Sequence, residues 1–99
     1  MNAETTLNEK IDALHDPMQR EPVPTRSAYG LPEGGHGLSA GRPAVYSNLG
    51  GGKYQILHPG GKTRDLDTTN KWDMRRLEQQ VIKLTDEEFE IMVERFTGK

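Results

Sequence analysis

The chain has 99 residues, of which 32% are hydrophobic and 28% are charged, and its formal net charge is -2. This length has room for one small domain, and the low apolar content leaves little material for its core. The near balance of charge excludes a strongly basic polyanion-binding protein and an acidic tail. Because cysteine is absent, disulfides, thiolate metal sites and a cysteine nucleophile are excluded as well.

No apolar run approaches the roughly 18 residues that a membrane span needs. The first residues carry neither the basic nor the apolar segment of a secretory signal. We therefore expect no membrane association, and a location in the cytoplasm or in a virion that is assembled in the host cytoplasm.

The first predicted element is a short helix over residues 7–16. Thr6 to Glu9 has the spacing of a capping box, and Pro17 ends the helical pattern. About ten residues are marginal for an isolated helix in water, so this helix must pack against something. Its apolar face consists of Leu7, Ile11 and Leu14.

Residues 17–52 are expected to form a long, extended, Pro/Gly-rich arm. All six prolines and ten of the eleven glycines lie between residues 17 and 61, a density typical of low-complexity sequence. Such a segment buries too little apolar surface to offset the entropy that is lost on ordering it. The arm is therefore expected to be ordered where it lies on a partner.

Residues 53–67 predict a small β-hairpin. Tyr54 to Leu57 is a β-prone run, and His58 to Gly61 places Pro and Gly at the two central positions of a type II turn. A two-stranded hairpin alone is barely stable. It should therefore lean on the helices or extend the sheet of a neighbour.

Residues 70–83 and 86–97 predict an antiparallel helical hairpin, which together with the β-hairpin would form a docking unit over residues 53–99. The expected fold is thus small and mostly α, with some β structure. Each predicted helix carries an apolar stripe, and the two stripes can face each other. They are Met74, Leu77, Val81 and Leu84 on the first helix, and Phe89, Met92, Val93 and Phe96 on the second.

The ends of these two helices carry clear capping signals. Asn70 is the expected N-cap of the first helix. Thr85 and Glu88 have the spacing of a capping box at the start of the second, and Gly98 suits a left-handed C-cap.

Three apolar residues lie off the two stripes, namely Trp72, Ile82 and Ile91. On a hairpin of this size they indicate a second packed face. Either the N-terminal helix and the β-hairpin cover that face, or another chain does.

Motifs that carry chemistry are absent or incomplete. Gly50 to Lys53 resembles a phosphate-binding loop, but Tyr54 stands where Ser or Thr is required, and a β-prone run follows instead of a helix. The three histidines have no metal-ligand spacing. The carboxylates of residues 86–94 suit a helix N-terminus and a solvated face, and no serine lies in a nucleophile elbow. We therefore expect that the chain is not an enzyme and that it binds neither a cofactor nor a metal.

Nucleic-acid binding is a weaker alternative. The second helix is acidic, which excludes it as a DNA-recognition helix. Nonspecific contact with nucleic acid is still possible through basic residues between positions 53 and 76. The first predicted helix is basic and the second is acidic. That contrast also indicates charge complementarity, either within the hairpin or between neighbouring copies. The basic residues are Lys53, Lys62, Arg64, Lys71, Arg75 and Arg76.

The sequence is thus interpreted as a non-enzymatic structural or interaction subunit of a larger assembly, whose arm drapes over neighbouring subunits. The most concrete version is a small virion accessory protein, such as a capsid cement or decoration protein or a head–tail joining protein of a phage. Its partners would be several other protein subunits, of the same or a different chain. The alternative is a small inhibitor or adaptor that folds on a single target protein. The predicted contact residues are Trp72, Ile82, Ile91, Tyr29, Tyr46, Leu7, Ile11 and Leu14.

Overall fold

A six-stranded antiparallel sheet with helices on both faces forms the centre of the protein, in a computed structural model that describes residues 3–15, 25–39 and 44–98. No helix within these ranges is long and apolar enough to cross a membrane. The helices are α1 (Ala3–His15), α2 (Lys71–Leu77) and α3 (Asp86–Thr97). The strands are β1 (Thr25–Ser27), β2 (His36–Ser39), β3 (Val45–Gly50), β4 (Lys53–Leu57), β5 (Thr63–Asp67) and β6 (Gln80–Leu84).

The order of the strands across the sheet is β1-β6-β2-β3-β4-β5. Strands β2 to β5 follow one another as an antiparallel meander. α2 then leads from the edge strand β5 to β6, which lies between β1 and β2 and pairs with both. A strand from the C-terminal third of the chain therefore joins the N-terminal strands into one sheet.

Each face of the sheet has its own apolar core. One core lies under α2 and a short 3-10 turn (Ala28–Gly30), where Leu77 packs with Tyr46, Ile56 and Val81. The other lies under α1 and α3, where Leu7 and Met92 pack with Leu38, Val45 and Ile82. The alternation of side chains along a strand explains the division, since neighbours such as Val81 and Ile82 point to opposite faces. α2 and the α1–α3 pair are thus on opposite sides of the sheet.

The predicted helical hairpin is wrong. Residues 71–77 do form a helix, but residues 80–84 form strand β6 in the middle of the sheet. The apolar stripe over Met74, Leu77, Val81 and Leu84 fits a helix by spacing alone. In a strand that is covered on both faces, Val81, Ile82 and Leu84 are all buried, and such a short apolar run cannot be distinguished from a helix by its periodicity. The β-branched pair Val81 and Ile82 favours the strand.

The predicted extended arm over residues 17–52 is also wrong as a description of the fold. Its described parts contain β1, the 3-10 turn, β2 and β3, all within the domain. Composition misleads here because several glycines have fixed roles in the sheet. Gly50 to Gly52 take positive φ angles of 88°, 62° and 78° in the β3–β4 turn, and Gly37 lies in β2 against Val81. Residues 17–24 and 40–43 of the predicted arm lie outside the described residues.

The remaining predicted elements take part in this larger fold. Residues 53–67 form β4 and β5, which pair from Lys53 with Asp67 to Leu57 with Thr63, but as one end of the sheet and not as a separate hairpin. The N-terminal helix is α1, and it packs against α3. The predicted division into a helix, an arm and a docking unit therefore corresponds to parts of one shared sheet with helices on it.

The capping signals of α2 and α3 are confirmed, whereas the capping box predicted at Thr6 to Glu9 is wrong, because α1 begins at Ala3 and Thr6 lies inside it. The side chain of Asn70 accepts hydrogen bonds from the amides of Trp72 and Asp73. Thr85 and Glu88 form a reciprocal capping box, and Gly98 ends α3 with φ 77° and ψ 20°. Local hydrogen-bonding chemistry sets these helix ends whatever the surrounding fold is.

Candidate interaction surface on α2

α2 has a buried side and an exposed side. Leu77 is buried and Met74 packs against the same core, which fixes the orientation of the helix on the sheet. The opposite side presents Trp72, whose side chain is 62% exposed. We call the outward residues Lys71, Trp72, Arg75 and Arg76, all exposed, the α2 surface.

Two cations lie over the indole ring of Trp72. The Nζ atom of Lys71 is 5.5 Å from the ring centroid, and the Cζ atom of Arg75 is 5.3 Å from it. Both distances suit cation–π attraction, which is worth on the order of 0.5–1 kcal/mol at an exposed site. Among the described residues, no carboxylate forms an ion pair with Lys71, Arg75 or Arg76. The α2 surface is therefore an exposed aromatic ring flanked by basic side chains.

A cavity of about 380 Å³ lies next to the start of α2. Its charged groups already accept or donate hydrogen bonds within the protein. The ammonium group of Lys53 donates to the carboxylate of Asp67, and with bonds from Thr69 it lowers the pKa of Asp67 to about 2. The Asp73 carboxylate accepts from the Asp67 amide at 3.0 Å. The lining residues are Leu49, Lys53, Tyr54, Asp65, Leu66, Asp67 and Asp73.

These carboxylates do not form a metal centre, because no group of three or more potential ligands is arranged to hold an ion in the described ranges. Leu49 stands out on the cavity wall, since its side chain is 57% exposed. The cavity is thus separate from the α2 surface, since none of the residues of that surface lines it.

His36 and Ser47 form a polar pair inside the protein. The Nδ1 atom of His36 is 2.7 Å from the Ser47 hydroxyl, and the imidazole stacks on the ring of Phe89 with centroids 3.6 Å apart. Burial lowers the pKa of His36, and the charge of Asp86 opposes that effect. A histidine beside a serine can activate a nucleophile. Here Ser47 is only 6% exposed, so the pair joins β2 to β3 and offers no open reaction site.

Glu88 is a carboxylate without solvent exposure. It accepts hydrogen bonds from the Lys10 ammonium at 2.6 Å, from the Thr85 amide at 2.8 Å and from the Thr6 hydroxyl at 3.2 Å. Burial raises the pKa of Glu88, but these donors together outweigh it and hold the pKa below its ordinary value. Because Lys10 also donates to the Lys83 carbonyl, this cluster fastens α1 to α3 and β6.

The opposite face of the molecule is acidic. Seven exposed carboxylates lie on α1 and α3, while Lys10 is occupied by buried Glu88 and Arg95 lies 3.9 Å from Glu4 and 3.0 Å from Asn8. We call these carboxylates the α1–α3 surface. They are Glu4, Glu9, Asp12, Asp86, Glu87, Glu90 and Glu94.

The residues predicted as partner contacts are distributed between surface and core. Trp72 and Tyr29 are exposed, at 62% and 48%. Tyr46 and Ile82 are buried inside the sheet, and they are no longer candidates for partner contact. Leu7, Ile11 and Ile91 pack in the core between the sheet and α1 and α3, and the side chain of Leu14 lies outside the described part of the chain.

The structure brings together two sets of residues that the sequence analysis did not combine. Arg75 lies at position i+3 from Trp72, which places it on the same side of the helix, and Lys71 directly precedes Trp72. For Glu88, the sequence shows only its position in a capping box, which does not predict that the side chain is buried. No family model, no curated protein and no solved structure matches this chain.

Proposed function

We propose that this protein is a non-enzymatic interaction subunit that binds another protein through the α2 surface. The observation that carries the proposal is the exposure of Trp72 between two cations. Tryptophan and arginine are the residue types that most often dominate the binding energy of protein interfaces. The partner would present acidic groups around an apolar pocket.

The size of the effect supports a binding role for Trp72. Covering the exposed part of a tryptophan side chain, on the order of 100 Å² or more, contributes roughly 2–4 kcal/mol. The fold itself gains little from the exposed part of the ring, because α2 is fixed by Leu77 and Met74 on its other side. An aromatic group in this position is therefore better explained by contact with a partner.

A larger assembly is the setting that we favour for this contact. In its most concrete form the protein would be a small virion accessory subunit, such as a capsid cement protein or a head–tail joining protein. The draped arm is no longer part of this proposal, since β1, β2 and β3 belong to the sheet. What supports the assembly is the presence of two oppositely charged faces on one small subunit.

A photocrosslinking experiment tests the proposal. Benzoylphenylalanine is placed at position 72 in the full chain, and cells of the source organism that carry the variant are irradiated. The matched control carries the same group at Lys62, an exposed residue in the turn between β4 and β5. We expect a covalent protein adduct from position 72 and none from position 62.

The identity of the adduct separates the alternatives. Adducts with several copies in one large particle support the assembly subunit, while a single 1:1 adduct with one target supports an inhibitor or adaptor. An adduct with nucleic acid only would replace the proposal by nonspecific nucleic-acid contact. If position 72 reacts no more than position 62, the α2 surface is not an interaction site.

A further inference from the structure

We propose that the α2 surface docks on the α1–α3 surface of a second copy of this chain. This inference rests on the proposed function and names its partner. The two surfaces have opposite charge, and the aromatic ring of Trp72 lies at the centre of the basic one. The copies would then associate head to tail.

The two surfaces cannot satisfy each other within one molecule. α2 covers one apolar core and α1 and α3 cover the other, with the sheet between them. Among the described residues, none of the ion pairs joins α2 to α1 or to α3. The basic and acidic helices would have been neighbours in a helical hairpin, but the sheet separates them. Their complementarity is therefore available only between molecules.

The charges on both surfaces are exposed and mostly free to act on a partner. The α2 surface has three cations without a described carboxylate partner. The α1–α3 surface has seven exposed carboxylates, and within the described ranges one of them, Glu4, lies near a cation, Arg95, at 3.9 Å. Complementary potentials of this kind increase association rates and fix the orientation of partners. Trp72 would supply the apolar contact that surface charges alone lack.

Like charges oppose the symmetric alternative. A two-fold dimer through the α2 surface would bring the two sets of cations, Lys71, Arg75 and Arg76 of each copy, close to each other. A contact between unlike faces is heterologous, so it continues from one copy to the next and closes only as a ring. This geometry would provide one link in an assembly built from repeated copies.

Paired charge reversal tests the inference directly. One variant, Lys71→Glu with Arg75→Glu, makes both surfaces acidic. The other, Glu90→Lys with Glu94→Lys, replaces two of the seven carboxylates by cations that lie one turn apart on α3. Sedimentation velocity at about 0.1 M and 0.5 M salt measures self-association, and circular dichroism melting checks that each variant is folded. The single variant Arg75→Glu provides a smaller change if the double variant fails to fold.

We expect the unaltered chain to self-associate, more weakly at the higher salt concentration. Each double variant alone should weaken association at least tenfold, and an equimolar mixture of the two should restore it, because the acidic α2 surface of one variant can then face the lysines of the other. A chain that stays monomeric up to millimolar concentration would overturn the inference. So would a mixture that associates no better than its components.

The failure of this inference can be told apart from the failure of the proposed function. A crosslink from position 72 to a different protein, with a chain that is monomeric alone, supports the proposed function and overturns self-docking. A crosslink to a second copy supports both. Loss of any protein crosslink overturns both, whatever the sedimentation result.

Discussion

Glu88 shows how a single buried charge can join distant parts of this chain. Its carboxylate belongs to the first turn of α3, yet two of its three donors, Lys10 and Thr6, come from α1. Buried charges are tolerated when paired and fully hydrogen-bonded, and no described buried side-chain nitrogen or oxygen lacks a partner. Removing the carboxylate takes one acceptor from three donors at once and breaks the links between α1 and α3.

Glu88→Ala should therefore lower the free energy of unfolding by about 2–4 kcal/mol. Its neighbour Glu87 is exposed at the same helix end, and Glu87→Ala should cost less than about 1 kcal/mol. Urea denaturation followed by circular dichroism measures both. Equal costs for the two variants would show that the hydrogen bonds to Lys10 and Thr6 do not stabilise the fold.

His36 should make stability depend on pH. Burial holds its pKa below the value of 6.5 that it has when unfolded, despite the opposing charge of Asp86. Below about pH 6.5 the unfolded chain therefore binds the proton first, so stability is lost as the pH falls through the pKa of the folded state. The free energy of unfolding between about pH 7.5 and pH 5 should fall more steeply for the unaltered chain than for His36→Gln. Parallel curves would contradict this expectation.

At the scale of elements, β6 explains most of the difference between the expected and the observed fold. The ends of α2 and α3 could be predicted from the sequence, since the caps at Asn70, Thr85 and Gly98 depend on neighbouring residues alone. The strands that pair with residues 80–84 could not be predicted, because β1 and β2 lie far away in the sequence. Glycine content was misleading for the same reason. Composition gives the number of glycines but does not show at which of them a strand from a distant part of the sequence packs too closely for a side chain.

Gly37 is the clearest case of such a glycine. A Cβ atom placed on it would lie 2.6 Å from the Cγ2 atom of Val81, so the strand pair β2–β6 has no room for a side chain there. Gly37→Ala should destabilise the protein by about 1–3 kcal/mol through overpacking. Gly30→Ala is the matched control, because its Cβ would meet nothing within 4 Å and its φ is not positive. It should change stability by less than about 1 kcal/mol, in the stabilising direction.

Thermal and urea denaturation of both alanine variants decide the matter. A loss of stability in Gly30→Ala equal to that in Gly37→Ala would indicate a general intolerance of alanine and not a close contact with Val81. A neutral Gly37→Ala would show that β2 and β6 can move apart without loss.

At the scale of the whole molecule, some apolar residues form the cores that stabilise the fold and others are exposed to solvent. Leu77 is completely buried, while Trp72, five positions earlier on the same helix, is 62% exposed. The two residues differ already in the sequence, because Trp72 lies off the apolar stripe. The position of α2 opposite the acidic helices was not predictable, since that arrangement depends on the sheet between them. The charge contrast was visible in the sequence, but its geometry was not.

Trp72→Ala should lower the free energy of unfolding by no more than about 1–2 kcal/mol, the sum of its two cation–π contacts. Leu77→Ala should cost about 2–5 kcal/mol, because it leaves a cavity in a closed core. Urea denaturation of the two variants side by side makes the comparison. An unfolded Trp72→Ala would assign Trp72 to the fold and remove it from the α2 surface.

The position of β6 in the sheet also governs the time course of folding. Until residues 80–84 arrive, β2 has a free edge towards β1, and β1 has no neighbouring strand. Pairing between such distant segments slows folding, since a long loop must close before its contacts form. During that interval the open place beside β2 could equally accept β6 from another molecule. The strand that completes the sheet is thus also the segment through which two newly made copies would exchange structure.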